Sequence, residues 1–94
     1  MADFTVRVEL RGGSEGDYDA LYVAMEKSGY LRIVQADDGS WYQLPSGEFN
    51  LRNSDLTVRQ VADFAKQVAE NIRQGAWVIV TQAVARYWHT DKTK

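Results

Sequence analysis

The chain has 94 residues, no cysteine, and 13 acidic against 11 basic side chains. One domain held by apolar packing is the expectation, since neither disulfides nor thiolate metal sites are available. The acidic balance excludes a broad non-specific nucleic-acid binder, and DNA is not an expected partner, but a small patch for one RNA is still allowed.

Residues 4–10 alternate, with Phe4, Val6, Val8 and Leu10 inward and Thr5, Arg7 and Glu9 outward, which predicts a half-buried strand. Residues 11–16 form a glycine-rich turn that lacks the lysine and glycine spacing of a phosphate loop. From Ser14 or Asp17 to Ser28 the period becomes helical. Tyr18, Leu21, Tyr22 and Met25 make the core stripe, and Gly29 supplies the stop.

Residues 30–35 read as a second strand, followed by a hairpin signal at Asp37-Asp38-Gly39. A third strand begins at 41–44, is interrupted at 45–47 and resumes at 48–52. The proline there marks a bulge, a sheet edge or a second small turn. A second helix starts at Thr57, with Gln60 completing a capping box and Leu56 and Val61 as a staple. Val58, Val61, Ala62, Ala65, Val68, Ala69 and Ile72 form its buried stripe, with Phe64 at the margin. Asp63, Lys66, Glu70 and Arg73 are solvated, and Gly75 closes the helix.

The last strand spans 76–88. Trp77, Ile79, Thr81, Ala83, Ala85 and Tyr87 share one face; Val78, Val80, Gln82, Val84, Arg86 and Trp88 share the other. Its first half is apolar on both faces and is expected inside the sheet, with Trp77 in the core. Its second half is expected to run past the body, and residues 89–94 to fray as a polar tail.

This order predicts an α+β, ferredoxin-like βαββαβ domain over 1–94, ordered from 3 to 88. Its four-stranded antiparallel sheet carries both helices on one face. The first and third strands are central, the second and fourth are edges, and the opposite face is left free. No stretch is apolar and long enough to cross a membrane and no leader pattern opens the chain, so a cytoplasmic protein without a membrane partner is expected.

His89 is the sole histidine and has no Cys or His partner, and Asp37 and Asp38 are explained by their turn. No metal and no cofactor are therefore expected. The free face points instead to single-stranded RNA. Arg7, Arg32, Arg52 and Arg86 would hold phosphate, and Trp41 would stack bases. Glu9 and Glu48, exposed beside that face, are the candidates for general acid or base. Trp41 and Trp88 divide between interface or ligand and core. A homodimer through the free face or the last strand is also expected.

Met25-Glu-Lys-Ser-Gly-Tyr30, Ile33-Val34, Asp38-Gly39, Leu44 and Phe49 together resemble the GhoS family, small antitoxins of type V toxin–antitoxin systems. The resemblance implies the ferredoxin-like fold and metal-independent endoribonuclease activity on the messenger of a membrane-lytic toxin. Phe49 matches a position associated with that activity, and the resemblance implies that it stacks bases beside Trp41. Tyr22 or its neighbours stand where the family carries a helix arginine. The alternative is a non-catalytic dimeric protein-interaction module of mobile-element origin, which the acidic balance and the missing arginine favour.

Overall fold

The computed structural model describes residues 1–93; Lys94, the last residue of the expected tail, lies outside the described residues. Eight elements follow in order: β1 (Ala2–Glu9), α1 (Glu15–Glu26), β2 (Tyr30–Leu31), β3 (Ile33–Gln35), β4 (Trp41–Gln43), β5 (Glu48–Ser54), α2 (Val58–Ile72) and β6 (Trp77–Ala83). Four of the strands make an antiparallel sheet in the order β2-β5-β1-β6, and β3 and β4 form a separate two-stranded sheet.

The alternation of β1 turns Phe4, Val6 and Val8 to one side, where they are buried with Phe49 and Leu51 of β5. Leu21 and Met25 of α1 and Val61, Ala65 and Ala69 of α2 join the same cluster, so both helices cover that one face. Each helix begins with a reciprocal capping box, Ser14 with Asp17 and Thr57 with Gln60. Such caps satisfy amide groups that the first turn leaves without partners. Val58 was expected in the α2 stripe but stands exposed on the first turn.

Tyr30 is buried in the core against α2. Its ring stacks on Phe64 at 5.6 Å and its hydroxyl donates to Val61 O at 3.2 Å. Burial raises its pKa above the ordinary tyrosine value. Folding therefore favours the protonated phenol, a contribution complete below that ordinary value and lost as pH rises through the raised one. Thermal denaturation of Tyr30→Phe should show a loss of about 1 kcal/mol at neutral pH. It should also show a flatter decline than the wild type on the alkaline side.

The expected second strand is not continuous. At Arg32 the chain leaves the main sheet, and Ile33 starts a hairpin with β4 that returns at Leu44, whose N–H donates to Arg32 O at 2.9 Å. The proline-glycine break at 45–47 is where the chain crosses back to β5. A strand pattern shows which residues alternate, not which neighbour they pair with, so the switch left no mark in the spacing.

Two further expectations are corrected at the C-terminal end. β6 lies at an edge of the main sheet, as the plan expects of its last strand, but it is not covered on both faces: Trp77, expected in the core, is 59% exposed. Residues 84–93 do not run past the body or fray. They fold back over the helix-free face and dock on the hairpin, with Gln43 N–H donating to Asp91 O (2.9 Å) and Thr93 N–H to Trp41 O (2.8 Å).

Candidate functional site

The helix-free face divides into a covered half and a bare half. In the covered half, Arg86 lies across β1 and β5. Its Nη1 donates to Asn50 Oδ1 (3.1 Å) and Thr5 Oγ1 (3.3 Å), and its Nη2 stands 3.6 Å from Asp3 Oδ2. Trp88 then packs against Tyr42 of β4, ring centroids 6.0 Å apart. Asn50 is the one fully buried polar residue among the described residues, so Arg86 satisfies an oxygen that would otherwise be buried without a partner. Arg86→Ala is expected to cost about 1–2 kcal/mol. It should also raise amide exchange at residues 86–93, where an unchanged exchange pattern would show that the segment docks without it.

In the bare half the sheet register brings Arg7 opposite Ile79 and Glu9 opposite Trp77. Glu48 sits opposite Arg7 on the other side of β1, so Arg7, Glu9 and Glu48 share one surface. The Arg11 guanidinium lies 4.6 Å from the Trp77 ring centroid. A shallow groove of about 200 Å³ runs between Arg7, Glu9, Trp77, Val78 and Ile79. Ile79 is 66% exposed, so the indole and this side chain form one apolar patch flanked by two arginines and a carboxylate.

The edge beside that patch is unpaired. Val8 donates its N–H to Gly47 O, towards β5, so the alternate residues Arg7 and Glu9 direct their backbone groups to β6. Ile79 and Trp77 face back at them. Val78, Val80 and Gln82 consequently turn their N–H and C=O groups outward, and among the described residues β6 has β1 as its one neighbour.

The remaining expected ligand residues are dispersed. Phe49 has no exposed surface and packs edge-on against Tyr22 at 5.7 Å. Arg32 is bound by main-chain carbonyls, with Nη1 to Pro45 O (2.9 Å) and Glu48 O and Nη2 to Leu44 O (3.1 Å). Its guanidinium also covers the Tyr22 ring at 4.2 Å. Arg52 lies 5.1 Å from the centroid of Trp41 and donates to Gln35 Oε1 at 3.3 Å. Of the expected set, Arg7, Glu9 and Glu48 come together; Arg32, Arg52, Trp41 and Arg86 serve other parts of the fold.

The spacing did not single out Arg11 or Ile79. The usable signal was the uncharged, proline-free run at 77–83 placed last in the chain, at an edge of the expected sheet. Among the described residues no group of three His, Cys, Asp or Glu side chains is arranged to hold a metal ion. No helix among the described residues is long and apolar enough to cross a membrane. Compared with protein-family models, curated proteins and solved structures, the chain matches none of them.

Proposed function

We propose that this chain is a non-catalytic interaction module that docks a partner through β6. The observation that carries this reading is a coincidence on one strand: the exposed apolar patch of Trp77 and Ile79 adjoins an unpaired row of backbone donors and acceptors. Strand addition supplies main-chain hydrogen bonds while the apolar side chains supply buried area. Glu9 stands exposed, without the enclosure that keeps water from acid–base chemistry, and Glu48 is turned to a separate groove lined by residues 85–90.

A photo-crosslinking amino acid placed at exposed Thr81 should give adducts that the same group at exposed Asp19, on α1, does not. Equal labelling from both positions, or none from Thr81, would remove the reading.

The order β2-β5-β1-β6, with both helices on one face, supports reading the fold as the ferredoxin-like plan with the β3–β4 hairpin inserted after its second strand. A second functional reading, single-stranded RNA, is favoured by Arg7 and Arg11 flanking an exposed indole. It is also what the GhoS-like resemblance implies. That likeness is carried in part by Met25, Tyr30, Val34 and Phe49, all buried, so it bears on the fold more directly than on activity. Labelled transcripts incubated with and without chelator separate the two readings. A mobility shift weakened by Arg7→Ala and Trp77→Ala supports RNA, and no shift at modest salt removes it.

A further inference from the structure

We infer that the partner docked on β6 is a second copy of this chain, paired antiparallel across a twofold axis near Val80. This inference rests on the reading of β6 as the docking strand. Residues 77–83 contain no charge and no proline, the devices by which edge strands usually avoid pairing with copies of themselves. With Val80 on the axis, Trp77 falls opposite Ala83 of the second copy and Ile79 opposite Thr81, large against small on the bare face. Val78, Val80 and Gln82, whose backbone groups point outward, become the hydrogen-bonded positions.

A second observation, on α2, selects the same symmetry. Lys66 Nζ donates to Ala76 O, and Glu70 Oε2 accepts from the N–H groups of Gly75 (2.9 Å) and Ala76 (2.8 Å). This face of the helix is therefore the one on the β6 side. The opposite flank carries Phe64, stacked on Tyr30 of β2. Along the β6 side run Arg59, Asp63, Lys66 and Glu70, paired within the chain as Arg59 with Asp63 (3.8 Å) and Lys66 with Glu70 (3.1 Å). Their signs alternate, and the stripe is self-complementary when reversed. In an antiparallel pairing Arg59 meets Glu70 of the second copy, and Asp63 meets Lys66.

A parallel or head-to-tail arrangement has no such match. An unrelated partner would not require a stripe that reads as its own complement. Exposed charges of this kind set orientation more than strength, so the strand edge supplies the association and the helix stripe its direction. The outcome is one eight-stranded sheet with Trp77 and Ile79 of both copies near its centre.

Sedimentation velocity of the full chain, from low micromolar to submillimolar concentration, tests the pairing. The expected result is a reversible dimer. Ile79→Lys should weaken it by about tenfold or more, since each copy places a charge in the strand pair. Arg59→Glu and Asp63→Arg, at highly exposed positions, should each weaken it several-fold. Asn71→Lys, on the opposite flank of α2, should leave it unchanged, and circular dichroism should show every variant folded. A wild-type chain that stays monomeric throughout overturns self-pairing, as does a dimer indifferent to Ile79→Lys. The Thr81 crosslinks separate the two readings. Adducts at twice the chain mass support self-pairing, adducts to other molecules from a monomeric chain leave the docking strand without it, and their absence removes both.

Discussion

Replacing Gly47 with alanine is expected to lower the stability of the fold by about 3 kcal/mol, with a fall in Tm of roughly 12–24 °C for a domain of this size. Two costs act together. Gly47 has φ +77°, a left-handed conformation that costs an L-residue roughly 1–2 kcal/mol. A Cβ built there would also stand 2.5 Å from the Val8 carbonyl oxygen, which is backbone and cannot swing aside. Relief requires β1 and the 45–47 turn to separate. That would break Val8 N–H to Gly47 O (2.7 Å) and Gly47 N–H to the Tyr22 hydroxyl (3.1 Å). Gly39 provides the control: φ is +90°, but nothing lies within 4 Å of its built Cβ. Gly39→Ala should therefore show the conformational cost alone, about 1 kcal/mol. Equal Tm values for the two variants would show that the close approach to Val8 does not matter.

The contrast between these glycines also shows what a sequence displays and what it withholds. Asp38-Gly39 is a turn by its own chemistry, and the hairpin forms there. Pro45-Ser46-Gly47 looks equally like a turn, yet the reason it must end in glycine lies on a strand 39 residues earlier. The capping box at Thr57 was legible for the same reason as Gly39, since every atom involved lies within one turn of helix. The alternation of β1 was legible because Phe4, Val6 and Val8 meet one environment, the core, along the whole strand.

The last strand misled because its apolar residues serve two environments. Val78 and Val80 pack under the helices, while Trp77 and Ile79 form the bare patch. Hydrophobicity on both faces was read as burial on both faces, whereas an interaction surface produces the same pattern. The return of residues 84–93 was illegible for another reason. It is held by Arg86 to Asp3, Thr5 and Asn50, partners 36 to 83 positions distant that no local pattern identifies. The candidate site was therefore readable in its β1 half, Arg7 and Glu9, and unreadable in how much of the face the chain would cover by itself.

Arg32→Met is expected to destabilise the chain by about 2–4 kcal/mol and to release the β3–β4 hairpin first. Arg32 marks the point at which the backbone leaves one sheet for the other, and three carbonyl groups around that junction, those of Leu44, Pro45 and Glu48, all turn to its guanidinium. A planar fork with five donors can serve all three while its face covers the Tyr22 ring. Methionine keeps the apolar stem but supplies no donor, so the Leu44 and Glu48 carbonyls, both partly buried, lose partners that water replaces incompletely. Lysine keeps the charge as a single point and cannot reach three acceptors in different directions, so Arg32→Lys should recover less than half of the loss. Native-state hydrogen exchange gives the sharper readout. The amides of Ala36, Gln43 and Leu44 should lose protection well ahead of those in β1 and β5. Because residues 91–93 dock on β4, their protection should fall with the hairpin, leaving more of the helix-free face bare. Full rescue by lysine, or uniform loss of protection across both sheets, would contradict the view that one guanidinium fixes the hairpin to the main sheet.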